Sequence, residues 1–351
     1  MAASRKFDVL LAGYYGFGNL GDELLSTSAV NLLVECGIKK ERIAILSGNP
    51  DESNRVLGIE AFGRGLSSKS LALALSSSRA MLLAGGGIFQ DSSSFGSCFY
   101  YWALVRRAIF SSCAVGAISQ SIGPLSRFIS RRITKDALGR CRYLSVRDDP
   151  SLVEARSLGL AASVTPDLVM GISVPAVARC EDGVVLINVR PVKSDAEPAE
   201  RVLKAARACD ANGLRVRGIA LADEDVSELE KFLASGELPP CEILSIKTLS
   251  DFEDVSRDAF AAVGMRLHFG VLSVKRGLRL ALAPYDPKVA GFAEEWGVLC
   301  PKFSGITEYS DIMRLLTKAF FEDKKQPDHD EVYRALYEAF KDALSRILEE
   351  E

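Results

Sequence analysis

FDVLLAGYYGFGNLGDELLSTSAVNLL, residues 7–33, runs from an apolar strand through a glycine-rich turn and an acidic pair into an apolar-periodic helix. A strand, a bare turn and a helix in that order are the opening unit of a parallel α/β sheet. Glycines at 13, 16, 18 and 21 permit positive φ and close approach of a ligand to the backbone. Their spacing is not the usual dinucleotide register, and the Lys-Ser/Thr of a P-loop is missing. Asp22 and Glu23 would repel a diphosphate, yet they suit a helix N-terminus. A helix cap or a ligand for sugar hydroxyls therefore fits better than a nucleotide cradle, and both of those readings stand.

Outward from this unit the pattern repeats. FDVLLAG, RIAILSG, AMLLAGGG, AVGAIS, YLSVRD and ASVTPD read as strands in the first half, and GVVLINV, LRVRGIAL, CEILSI, AAVGMRLH and RLALAPY in the second. Most are short, apolar on both faces and separated by helical spans, as parallel strands covered by helices are. Residues 170–183, MGISVPAVARCEDG, lack a clear period and read as a linker. The expected architecture is α/β: two Rossmann-like domains with mostly parallel sheets, residues 1–172 and 173–326, and an active site in the cleft between them. Residues 327–351 form an amphipathic helix with Tyr333, Leu336, Tyr337, Phe340, Leu344 and Ile347 on one face, expected to pack on a domain.

Composition sets the outer limits. The 351 residues are 48% hydrophobic and 25% charged, as in soluble globular proteins. No apolar run is long enough to cross a membrane. The start, MAASRKFDVLLAG, enters a strand at once and carries no signal-peptide pattern. Eight scattered cysteines without a C-x-x-C pair argue against a zinc site or a disulfide framework and read as reduced cytoplasmic thiols. Residues 1–175 carry 19 Lys/Arg against 14 Asp/Glu, and the remainder 24 against 32. Much of the positive excess lies between Arg127 and Arg147, either a solvated helix face or a surface for an anionic partner such as lipid phosphate. Nucleic acid is not expected, because the chain as a whole is acidic and no binding module appears.

With the glycine turn as the first, three loops at strand ends gather polar groups. GGGIFQDSSS places Gly86, Gly87, Gln90 and Asp91 before an apolar helix, and SQSIGPL adds Gln120 at the same edge. The sharpest signal is GMRLH. His268 is one of two histidines, and alternation puts it on the same face of an extended segment as Arg266. A lone histidine among apolar residues is often only a core residue, but a buried arginine asks for an anion. APYDPKV sets Asp286 and Lys288 after another strand, and SVRD sets Arg147 at a third.

In this order, GYYGFGNLGDE, GGGIFQD, QSIGPL, SVRD, GMRLH and YDPKV resemble a polysaccharide pyruvyltransferase of the CsaB type, across nearly the whole chain. The resemblance implies a glycosyltransferase-B-like fold and transfer of pyruvate from phosphoenolpyruvate to a sugar as a cyclic ketal, with release of phosphate. The implied acceptor is N-acetylmannosamine in a lipid-diphosphate-linked cell-wall polysaccharide precursor, and the ketal would serve S-layer anchoring. It implies donor binding by Arg147 and Lys288, with Arg266 joined by adjacency, and His268 as general acid. Asn19, Asp22, Glu23, Gly86, Gly87, Gln90, Asp91 and Gln120 are the expected acceptor side. No role carries over to Asp167. No cofactor and no metal are expected, since cations already neutralise the donor. An enzyme of this kind would be cytoplasmic, with peripheral contact at the inner membrane face through Arg127–Arg147. Two alternatives are weighed: a nucleotide-sugar glycosyltransferase using Asp254 or Asp286 on a ribose, and a noncatalytic sugar-binding protein of the same fold.

Overall fold

A computed structural model describes residues 5–91, 95–177, 183–192, 196–298, 300 and 328–349. The three serines after Asp91, Cys180 and the stretch 301–327 lie outside them. The chain divides into two units. The first holds the described residues of Met1–Phe17, Asp22–Ile172 and Asp328–Glu351; the second holds Gly18–Gly21 and the described residues of Ser173–Pro327.

The first unit is built on β1 (Phe7–Ala12), β2 (Ile43–Ser47), β3 (Glu60–Gly63), β4 (Ser78–Ala84), β5 (Ala114–Gln120), β6 (Tyr143–Val146) and β7 (Ser163–Val164). They form one sheet in the order β3-β2-β1-β4-β5-β6-β7. All pairings are parallel, and Leu10 of β1 lies opposite both Ala44 and Met81. β2 is buried at every position, which explains why IAILS shows no polar alternation. Two corrections concern the edges. β3, in EAFG, escapes sequence reading because only Phe62 of its four residues is buried. ASVTPD contributes just two exposed strand residues. Helices α1 (Leu20–Glu35), α2 (Pro50–Leu57), α3 (Lys69–Ser76), α4 (Phe95–Phe110), α5 (Phe128–Leu138) and α6 (Asp149–Ser157) connect the strands.

The second unit repeats the plan with β8 (Val184–Asn188), β9 (Arg215–Ala220), β10 (Glu242–Ser245), β11 (Ala259–Gly264) and β12 (Arg279–Leu282), in the order β10-β9-β8-β11-β12. Its pairings are also parallel. The helices are α7 (Glu197–Asp210), α8 (Asp223–Ala234), α9 (Leu249–Val255), α10 (Leu267–Lys275) and α11 (Pro287–Glu295). Two Rossmann-like sheets of parallel strands are thus present, as the alternation of residue types predicts.

The last helix, α12 (His329–Leu348), returns to the first unit. It packs on β4, β5 and β6. Its buried stripe runs through Val332, Leu336, Ala339, Phe340, Ala343, Leu344 and Ile347. Tyr333 and Tyr337, expected on that face, are only half-buried, because the small alanines let the helix axis approach the sheet. No helix among the described residues is long and apolar enough to cross a membrane.

Candidate functional site

Ligands of such sheets bind at the carboxyl ends of strands where the strand order reverses. In the first unit that point lies between β1 and β4, and in the second between β8 and β11. The sequence-derived residues divide between the two.

In the first unit, the loop after β1 is held rigidly. Tyr15 is buried and its hydroxyl donates to the Ala84 carbonyl. Burial, reinforced by the charges of Asp22 and Glu23, pushes the Tyr15 hydroxyl well above the usual tyrosine range. The Glu23 carboxylate turns back to accept the amides of Gly16 at 2.8 Å and Phe17 at 3.2 Å. Glu23 therefore builds the turn. Asp22 lies against Gly86, its Oδ1 4.0 Å from where a Gly86 side chain would begin. Those two expected acceptor residues do come together.

Others face inward. The Asp91 carboxylate accepts the Ser126 amide and hydroxyl and the Arg127 amide at 2.9–3.0 Å, tying the glycine loop to the start of α5. Burial alone would raise the Asp91 carboxyl, but these donors outweigh it and hold it below the usual carboxylate range. Gln120 is fully buried, and its amide donates to the carbonyls of Leu83, Gly85 and Ile118. Both residues brace the loops that the sequence reading assigned them to line. Gly87 and Gln90 are half-buried on the same loop.

Arg147, expected on the donor, is enclosed by protein groups. Its side chain is only 4% exposed. The guanidinium donates to Asp167 and to the Ser121 hydroxyl, both at 2.6 Å, with Asp148 3.8 Å away. Burial opposes its charge, but Asp167 and Asp148 together keep its pKa above the ordinary value. Asp167, left without a role by the sequence, is the anion that makes this cation tolerable. Arg147 also belongs to the first unit, whereas Arg266, His268 and Lys288 belong to the second.

In the second unit, β11 ends at Gly264 and the chain turns into α10 at Leu267. Arg266 and His268 therefore do not alternate along one extended face. Arg266 is the residue before the helix, its amide donating to the Asn188 side chain at 3.1 Å; His268 sits in the first turn. The anion that a buried arginine requires is internal. Asp225, fully buried in α8, takes Nε and Nη2 of Arg266 in a bidentate pair at 2.6 Å, and Glu224 accepts from Nη2 at 2.6 Å. Burial opposes the charge, and Asp225 more than offsets it, holding the Arg266 pKa above the ordinary value. Glu224 reaches a second arginine, Arg190, at 3.6 Å. Arg190 is stacked 4.6 Å from the Tyr285 ring centre and donates to a tyrosine hydroxyl, that of Tyr285, at 2.8 Å. With its side chain 25% exposed, Arg190 can meet a solute where Arg266 cannot. The sequence reading missed Arg190, although the rule that picked Arg147, a basic residue just beyond a strand end, applies equally to INVRP.

Asp286 caps α11 through the Lys288 amide at 3.0 Å, and the Lys288 ammonium lies 3.4 Å from the same carboxylate. His268 is half-buried beside Gly21, which with Gly18–Leu20 belongs to this unit. Leu20 N donates to Leu221 O at 2.9 Å, and the Asn19 side chain accepts the Gly21 amide at 3.1 Å. A Cβ at Gly21 would lie 1.9 Å from Nδ1 of His268, so only glycine leaves the imidazole its place. No cluster of three or more metal-ligating side chains occurs among the described residues.

The family model for polysaccharide pyruvyl transferase matches residues 19–275, from Asn19 through the His268 helix. The chain belongs to the polysaccharide pyruvyl transferase family. The match leaves Lys288 outside its span. No curated protein matches the sequence. Among solved structures, a putative UDP-N-acetylglucosamine 2-epimerase from Listeria monocytogenes is similar with a TM-score of 0.59 at 11% identity, covering 94% of this chain and 91% of that one. The UDP-GlcNAc 2-epimerase of Methanocaldococcus jannaschii gives 0.59 at 9% identity over 94% and 98%. A glycosyltransferase from Rickettsia africae gives 0.57 at 8% identity over 98% and 96%. At such identities these likenesses establish the fold of this pyruvyl transferase, which is glycosyltransferase-B-like, and nothing about its ligands.

Proposed function

We propose that this pyruvyl transferase is of the CsaB type, moving pyruvate from phosphoenolpyruvate to N-acetylmannosamine of a lipid-diphosphate-linked saccharide and closing a cyclic ketal. The observation that carries the reading is the family match running through His268, in a chain where that imidazole has a place kept by Gly21. An imidazole can act as a general acid, here toward the donor's methylene carbon. The resulting oxocarbenium-like carbon is attacked by one sugar hydroxyl, which gives up its proton. The C–O bond to phosphate then breaks, and a neighbouring hydroxyl adds at the same carbon, loses its proton and closes the ring. One proton enters at the methylene and two leave the hydroxyls, one of them restoring the acid and the other leaving with phosphate. Arg190 and Lys288 are the cations assigned to the donor's phosphate and carboxylate. Arg266 fixes Asp225 and also Glu224, the carboxylate that reaches Arg190. Of the acceptor-side carboxylates, Asp22 lies against the glycine loop at Gly86 and is assigned to the acceptor hydroxyl.

Phosphoenolpyruvate should raise the melting temperature by several degrees at saturation, with UDP inert. Mass spectrometry of an N-acetylmannosamine-containing lipid-linked disaccharide should then register the gain of one pyruvate less one water. A shift with UDP alone, and an unchanged disaccharide, would instead favour a nucleotide-sugar enzyme.

We also assign the lipid end of the acceptor to the α5 surface. The basic stretch is less free than its composition implies. Arg131 pairs with Glu154, Arg140 with Asp136, and Arg147 is buried. What faces outward is Phe128, 75% exposed, and Ile129, 60% exposed, with Arg127, Arg132 and Lys135 beside them. Apolar tips among cations are the pattern of a peripheral contact with an anionic bilayer at the cytoplasmic face. Sedimentation with phosphatidylglycerol vesicles should drop about tenfold in a Phe128→Ser, Arg132→Glu double variant; unchanged sedimentation rejects the assignment.

A further inference from the structure

Tyr14 and Phe17 flank the glycine turn and remain 46% and 49% exposed. Their rings stack on each other, 4.3 Å between centroids and 17° between planes. Exposed aromatic rings normally move; these are fixed from behind. The Phe17 amide is held by Glu23, and its ring lies so close over Gly48 that a Cβ there would come within 2.8 Å of it. Arg64, at the end of β3, sits 5.0 Å from the Phe17 ring centre and 5.8 Å from that of Tyr14. The same guanidinium lies 4.4 and 5.5 Å from the rings of Tyr100 and Tyr101 and donates to both hydroxyls, at 3.2 and 3.0 Å. Its Nη1 is buried with no hydrogen-bond acceptor among the described residues.

A half-buried guanidinium with a buried orphan N–H is costly, and four rings around it are more than packing requires. Its effect is to lock a flat aromatic surface at the carboxyl edge of β1–β3, beside the turn built by Gly16 and Glu23. We propose that Tyr14 and Phe17 form a stacking platform for a pyranose ring of the saccharide acceptor. A pyranose presents an apolar C–H face with hydroxyls round its rim. The platform offers an apolar face with the Tyr14 hydroxyl at its edge. Both residues lie in GYYGFGNLGDE, but that motif gives neither side chain a role, and the proposal deepens the acceptor half of the function proposed above.

The test is saturation-transfer NMR on the full chain with N-acetylmannosamine and, separately, UDP, for wild type, Tyr14→Ala, Phe17→Ala and a Phe110→Ser control on the exposed end of α4. Sugar ring protons should be saturated in wild type and in Phe110→Ser, and lose most of that signal in the two platform variants, with melting temperatures within about 2 °C. In pyruvyl-transfer assays with the lipid-linked disaccharide, acceptor KM should rise about tenfold or more in Tyr14→Ala while phosphoenolpyruvate KM stays put. Sugar contacts that survive both substitutions overturn the platform, as does saturation of uracil protons that disappears with Tyr14. Sugar binding lost with Tyr14 in a protein that transfers no pyruvate would keep the platform and reject the reaction.

Discussion

Replacing His268 with alanine should lower kcat for pyruvyl transfer by about 10²–10⁴-fold, the range for loss of a positioned general acid. Phosphoenolpyruvate binding, read by thermal shift, should change little, because the cations assigned to the donor are Arg190 and Lys288. A companion variant separates the imidazole's position from its presence. Gly21→Ala would normally favour a helix by about 1 kcal/mol. Here the new methyl would meet Nδ1 of His268 at 1.9 Å and must displace the ring. The expected result is a protein that folds, binds donor, and has lost most of its turnover. Turnover retained in His268→Ala would remove the histidine from the proton transfer altogether.

The second large effect concerns stability. Asp225→Ala should destabilise the second unit by about 3–5 kcal/mol, because it leaves a buried guanidinium with only the exposed Glu224 as its anion. Asp225 also accepts the Leu221 amide at 3.1 Å, so its loss leaves more than one donor unsatisfied. Urea denaturation should register the fall, and Arg266→Met in the Asp225→Ala background should recover part of it, since the uncompensated charge is then gone. The opposite assignment, with Arg266 as a ligand-binding cation, predicts something different. Arg266→Met would then raise phosphoenolpyruvate KM at unchanged stability, and that outcome would return Arg266 to the donor site.

The site residues were legible to different depths. GMRLH and the glycine turn stand out because rare residue types occur at strand ends, and the structure puts His268 and Gly21 side by side. The spacing of Arg266 and His268 misleads, because alternation holds only while the chain stays extended, and α10 begins between them. Gln120 and Asp91 have the chemistry of ligand groups, yet they satisfy loop carbonyls and amides. Polar residue type alone cannot separate these uses. Arg64, Tyr14 and Phe17 escape notice because their association joins the ends of β1 and β3, about fifty residues apart.

Two Rossmann-like sheets follow from residue order alone, since short strands apolar on both faces, alternating with amphipathic spans, have few other ways to bury themselves. Packing assigned the rest. Asp167 and Asp225 neutralise Arg147 and Arg266 from 20 and 41 positions away, and α12 crosses back to cover a sheet laid down at the chain's start. Local pattern records which side chains carry charge; which charges meet depends on long-range approach in a medium where an unpaired ion is prohibitive.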